Sequence, residues 1–174
     1  MKNGTLTMRG DTRAVLRFER HLRHPVERVW RAITDPDELR HWSPAIPEWT
    51  LEPGATFTVE AFGDGTGEIL EVDPPHLLAY EFAGQAFRFE LSAHGDGCTL
   101  VFVHEFDDPG LAAQHAAGWD VCFDRMDALL AGGALSDRDA LVPWLDLNDR
   151  YAERFGIDPE IGRRTYEEHM KQFT

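Results

Sequence analysis

The sequence predicts an α+β fold in which one antiparallel six-stranded sheet wraps round a long C-terminal helix, with a helical C-terminal appendage. Three observations carry this expectation. Between residues 56 and 105, strand-like runs are separated only by GDG, DPP, AGQ and HGDG, turn chemistry so short that neighbouring strands must be antiparallel. From Leu111 the apolar period becomes helical, through His115, Trp119, Cys122, Met126 and Leu130. A sheet with one apolar face needs a cover, and only this helix is long enough to supply it.

The elements follow in order. Residues 1–12 are polar and expected to fray. In Arg13–Leu22, Ala14, Leu16, Phe18 and Leu22 alternate with Arg17, Glu19 and His21, the pattern of a half-buried strand. His24-Pro25 ends it, because the residue before a proline is pushed out of the helical region. Pro25 then suits a first helical turn, and Val26, Val29, Trp30 and Ile33 give that helix an apolar face. Asp35-Pro36 starts a second short helix as N-cap and N1, with Glu38 in capping-box position. Residues 43–54 read as proline-rich loop. Strands are expected at 56–61, 65–72, 76–82, 85–93 and 98–105, with clear alternation in Phe87, Phe89 and Leu91. Gly132-Gly133 stops the long helix. Ser136 can cap a further helix interrupted at Pro143 and closed by Gly156, and a last helix runs toward Lys171. The organisation is thus a frayed 1–12, a main domain at 13–133 and a helical extension at 134–174.

Composition narrows the function. The 174 residues carry a net charge of −14, which repels phosphate backbones and anionic membrane surfaces, so neither nucleic acid nor membrane is an expected partner. Two cysteines, Cys98 and Cys122, make no CxxC and no disulfide framework. No signal-like run opens the chain, so a cytoplasmic setting with reduced thiols is expected.

The chemical candidates thin out on inspection. Cys122 shares a helical face with His115, but seven residues place them about 10 Å apart along the axis, too far for a nucleophile and its base. Asp120, Asp124 and Asp127 fall on the opposite, solvated face. No HExxH, HxH or Cys/His zinc spacing occurs, so no metal and no cofactor is expected. His104 and Glu105 point to opposite sides of one strand; His104 shares its side with Leu100, Phe102 and Phe106. The glycine-rich 63–67 precedes a strand and no helix, so it reads as a hairpin.

The run PVERVWRAITDPDELRHWSP (25–44) resembles the opening helices of the START-like (SRPBCC) superfamily, and within it the family of heat-shock-protein-90 ATPase activator homologues. GEILEVDPPHLLAYEF (67–82), TLVFVHEF (99–106) and HAAGWDVCFDRMDALL (115–130) extend the resemblance over residues 13–131. It implies a helix-grip fold with a cavity between sheet and C-terminal helix, used by relatives for lipids, hormones, polyketides or aromatic compounds. The chain has no room for the extra N-terminal domain of the eukaryotic chaperone activators, and its extension falls outside the family pattern.

On that fold, Trp119, Cys122, Phe123 and Met126 would form one wall of the cavity. Phe57, Phe82, Phe87, Phe89 and Phe102 would form the other, with Trp42 at the mouth and His104 as polar anchor. The same side chains would equally fill a solid core. The expected partner is a small hydrophobic molecule, with a homodimer through the C-terminal helices as a further expectation. A cyclase- or hydrolase-type enzyme and a chaperone-cofactor-like interaction protein are the alternatives.

Overall fold

The computed structural model describes residues 3–60 and 65–171. In chain order it contains β1 (Thr5–Arg9), β2 (Arg13–Leu22), α1 (Val26–Thr34), α2 (Pro36–Leu39), β3 (Ile46–Glu48), β4 (Thr56–Glu60), β5 (Thr66–Asp73) and β6 (Leu77–Phe82). There follow β7 (Gln85–His94), β8 (Gly97–Phe106), α3 (Ala112–Leu130), α4 (Asp137–Leu141), α5 (Trp144–Phe155) and α6 (Glu160–Met170). One antiparallel sheet in the order β1-β2-β8-β7-β6-β5-β4-β3 takes up every strand. The α+β class and the grip of the sheet on α3 agree with the sequence; among the described residues the sheet has eight strands, not six.

The two added strands have physical reasons for being hidden. β1 lies in the segment expected to fray, and most of its side chains are exposed, so no alternation marks it. It is held by backbone pairing with β2 and by the Gly4 amide, which donates to the Tyr151 hydroxyl at 3.1 Å. β3 is three residues long and contains Pro47, which a sheet tolerates at its edge. Ala61 and the start of the glycine-rich turn lie outside the described residues.

Inward-facing residues of the central strands make one continuous apolar face. Leu16 and Phe18 on β2, Leu100 and Phe102 on β8, and Phe89 and Leu91 on β7 are all buried. A bulge between Ile69 and Glu71 leaves Leu70 exposed and shifts the alternation by one residue, so that Val72 and not Glu71 packs on the inner side with Leu78. Asp35 caps α2 by accepting from the Asp37 amide. Glu38, however, does not close a capping box: its carboxylate accepts from Arg28 and Arg31, both at 2.6 Å.

The C-terminal helices neither cover a cavity mouth nor lie on the outer sheet face. They dock on the outward side of α3, where Trp144, Leu147 and Ala140 pack with Ala117 and Val121. Ser136 caps α4, and Gly156 closes α5 at φ 69°. This docking overturns one expectation for α3. Asp120 is buried rather than solvated and accepts a 2.6 Å hydrogen bond from the Tyr151 hydroxyl. Trp144, Leu147 and Tyr151 of these helices are buried within the chain, while Val142 and Leu145 stay exposed. Among the described residues, no helix is long and apolar enough to cross a membrane, and no cluster of three or more His, Cys, Asp or Glu is placed to hold a metal ion.

Candidate functional site

Helix α3, about 28 Å long, meets the sheet along its whole length, but only part of that contact is filled. Beside its N-terminal half lies a cavity of about 360 Å³. The helix contributes His115, Gly118, Trp119 and Cys122, and the sheet Phe57, Val59, Tyr80, Phe82 and Phe87. The segment after α2 closes a third side with Ser43, Pro44, Ala45 and Pro47. That segment is tied by the Ser43 hydroxyl, which donates to the Ala45 carbonyl at 2.7 Å and accepts from the Ala45 amide.

The aromatic wall is built by cross-strand register. Tyr80 pairs with Phe87, and their rings stack at 5.1 Å. Phe57 meets Tyr80 edge-on at 5.7 Å and stacks on Phe82 at 6.4 Å. Gly67 lets Phe57 lie across β5: a Cβ there would sit 2.2 Å from the ring. Ala83 and Gly84 both have positive φ (50° and 74°), as a two-residue I′ hairpin loop requires. That turn sets Phe82 opposite Gln85 at the edge of the cavity.

At the Gln85 end the wall turns polar. The Trp119 indole N–H donates to His104 Nδ1 at 3.0 Å, and His104 Nε2 lies 2.5 Å from Gln85 Oε1. An indole only donates, so Nδ1 accepts, and Nε2 carries the proton that it gives to Gln85. His104 is thereby a neutral imidazole with both nitrogens satisfied. Burial pushes its pKa down to about 3, helped by His115 and Arg13. His115, its ring 5.0 Å away, is different: Nε2 is buried and has no hydrogen-bond partner. Burial lowers His115 to about 4, against a small opposing pull from Asp108. Cys122 is inert as a nucleophile, since desolvation pushes its thiol up to about 12. Burial likewise holds the Tyr80 hydroxyl protonated well beyond its usual range.

Of the residues singled out from sequence, the structure brings Phe57, Phe82, Phe87, His104, Trp119 and Cys122 to the cavity. Trp42, Phe89, Phe102, Phe123 and Met126 are not on its wall. Trp42 is buried against Phe123 and donates to the Ala32 carbonyl at 2.8 Å, pinning the end of α2 to α1 instead of guarding a mouth. Phe102 packs against Phe89 at 4.7 Å and Phe123 at 5.5 Å, and Met126 is fully buried in the same cluster, so no space remains there. His104 borders the cavity but has no free nitrogen for a ligand. Tyr80 and Gln85 were legible, since each lies two residues from a named inward residue on its own strand. The contribution of 43–47 had no such signal.

A family model for Activator of Hsp90 ATPase homolog 1-like protein matches residues 23–131. No curated protein matches the chain. Among solved structures, CalU16 from Micromonospora echinospora is similar with a TM-score of 0.65 at 22% identity, covering 88% of this chain and 95% of that one. EF2215 from Enterococcus faecalis, titled a conserved protein of unknown function, gives 0.73 at 16% over 88% and 90%. MLL2253 from Mesorhizobium loti gives 0.61 at 24% over 70% and 99%. Residues 1–131 make up about three quarters of the chain, so likenesses spanning 88% reach into the C-terminal helices. At least part of the extension is therefore covered by the likeness to these folds. With a START-like sheet and helix, and a family match over most of its length, the chain belongs to the Activator of Hsp90 ATPase homolog 1-like protein family.

Proposed function

We propose that the protein binds a small, largely apolar or aromatic molecule between its sheet and α3, with one uncharged hydrogen-bonding group of that molecule at His115. The observation that carries this reading is a cavity of about 360 Å³ with aromatic walls, on which one residue bears a buried ring nitrogen without a partner. That volume lies in the range of small-molecule sites, as does the mix of apolar walls and few polar groups. An unsatisfied buried imidazole nitrogen costs about 1–3 kcal/mol, which a ligand hydroxyl would recover. A hydroxyl both donates and accepts, so it suits either neutral tautomer of His115.

Acid–base catalysis has little to draw on here. Glu68, Glu81 and Glu90 are exposed, Glu105 pairs with Arg9 and Arg13, and the two imidazoles at the cavity are weak bases. Most of the apolar face of the C-terminal helices packs on α3, which leaves Val142 and Leu145 as the exposed apolar residues there. The setting is a reducing cytoplasm, in which Cys98 and Cys122 stay free thiols.

Thermal unfolding with naphthol and with methylnaphthalene tests the reading. Both ligands should raise the Tm, naphthol more. In His115→Phe the two should become equivalent. No shift with either ligand would reject the cavity as a binding site.

A further inference from the structure

A second hollow, of about 590 Å³, lies on the other side of the cavity wall. It is formed between α2, α3 and the C-terminal helices, with Arg40, Arg125, Asp137, Leu141 and His169 among its lining. The two hollows share Ser43, Pro44, Gly118 and Cys122, so the partition between them consists of small side chains. Gly118 lies inside a 19-residue helix, where glycine is a poor helix former. A Cβ there would meet only Trp144 Nε1, at an ordinary 3.8 Å. Crowding does not demand this glycine; its lack of a side chain keeps the partition thin.

The outer hollow differs in chemistry from the inner one. The Arg125 side chain is 18% exposed, its Nη2 lies 2.7 Å from the Asp137 carboxylate, and its Nε is buried without a hydrogen-bond partner. Asp137 is 63% exposed, and an ion pair with so exposed a partner is readily exchanged. A guanidinium carries five donors in a fixed fork, so one monodentate carboxylate leaves capacity for a second. Arg40 also lines the hollow, its Nε 3.8 Å from the Asp37 carboxylate. Each arginine of the recess thus faces an exposed carboxylate, Asp37 93% and Asp137 63% exposed, and a ligand carboxylate that displaces one exchanges one exposed ion pair for another.

Building on the cavity reading above, we propose that the ligand is an amphiphile with a carboxylate end. Its apolar body lies between the sheet and α3, and its carboxylate passes Gly118 to reach Arg125 in the outer hollow. The C-terminal helices then serve binding directly, because they form the far wall of the compartment that receives the charge.

Calorimetric titration with decanoate and decanol tests this, since the two share an apolar chain and differ in the carboxylate. The wild-type protein should bind decanoate about tenfold more tightly than decanol, the size of one charge-assisted hydrogen-bonded contact. Arg125→Gln should bring decanoate to the decanol level and leave decanol unchanged. Asp137→Asn, at an exposed position that does not threaten folding, should strengthen decanoate about two- to threefold by releasing Arg125. Equal wild-type affinities would overturn the proposal and leave the apolar cavity standing, as would a decanoate preference that survives Arg125→Gln. Binding of neither probe would overturn the proposal, and the cavity reading falls with it only where naphthol also leaves the Tm unmoved. Should Arg125→Gln fail to fold, Asp137→Asn decides: an unchanged decanoate affinity rejects the proposal.

Discussion

The two halves of α3 face the same sheet and are treated differently by it. Toward the C-terminus, Phe123 and Met126 sit in a solid cluster with Phe18, Phe89 and Phe102, whose rings lie 4.7 to 6.1 Å apart. Arg20 seals this end from outside, its guanidinium 5.3 Å above the Phe123 ring and paired with Asp127. Toward the N-terminus, Trp119 still meets Phe87 edge-on at 6.0 Å, but beyond that contact a cavity opens between His115, Trp119 and Cys122 on the helix and Tyr80 and Phe57 on the sheet. The difference lies in what fills the gap, not in hydrophobicity. Where aromatic rings from β2, β7, β8 and α3 interdigitate, the core is closed. Where the wall passes to β4–β6 and the 43–47 segment, the helix offers Gly118 and Cys122, and small side chains leave a hollow.

Truncation at each end separates these environments most sharply. Phe102→Ala, in the closed half, should cost about 3–5 kcal/mol, because the cavity it creates cannot collapse. Phe87→Ala borders existing space and should cost about 1–2 kcal/mol. Equal losses in chemical denaturation would contradict the division of the interface into a packed and an open half.

Next in size is the polar hinge between the halves. His104→Leu strands the Trp119 indole N–H and Gln85 Oε1, and should cost about 2–3 kcal/mol. It should also blunt the acid sensitivity of the fold. His104 and His115 ordinarily titrate near 6.5 but are held neutral in the folded state, down to about 3 and about 4. Their folded pKa values are depressed, so the unfolded chain binds protons first. Stability should be complete above pH 6.5 and fall by about 1.4 kcal/mol per unit per imidazole as pH drops from there toward 4. A denaturation midpoint unchanged between pH 7 and 5 would contradict burial of either ring.

Much of the fold was legible because periodicity reports which face of an element is apolar. Phe87, Phe89 and Leu91 on β7, and Leu100, Phe102 and His104 on β8, were readable as inward for that reason. Periodicity says nothing about whether an inward residue meets a neighbour or a void, so Phe89 and Phe102 could not be told from Phe87 by pattern. Asp120 was misplaced for a related cause: the face it occupies is polar by sequence and becomes buried only when α5 docks and brings Tyr151. β1 escaped because pairing with β2, not burial, holds it. His115 was seen only as a partner for Cys122; its orphaned nitrogen is a tertiary fact.

The smallest expected effect concerns the partition. Gly118→Ala should stabilise the protein by about 0.5–1 kcal/mol, since helix propensity improves and the new methyl finds room beside Trp144. A loss of stability in thermal unfolding would show that the partition is tighter than its geometry indicates.

The most direct measurement fills the open half and leaves the closed half alone. Val59 is buried on β4 and points into the cavity, so Val59→Phe should occupy the hollow while the variant keeps or gains thermal stability. Naphthol should raise the Tm of the wild-type protein and leave that of Val59→Phe unmoved. Wild-type protein that ignores naphthol, or a filled variant that binds it as well as the wild type, would contradict a ligand site between sheet and α3.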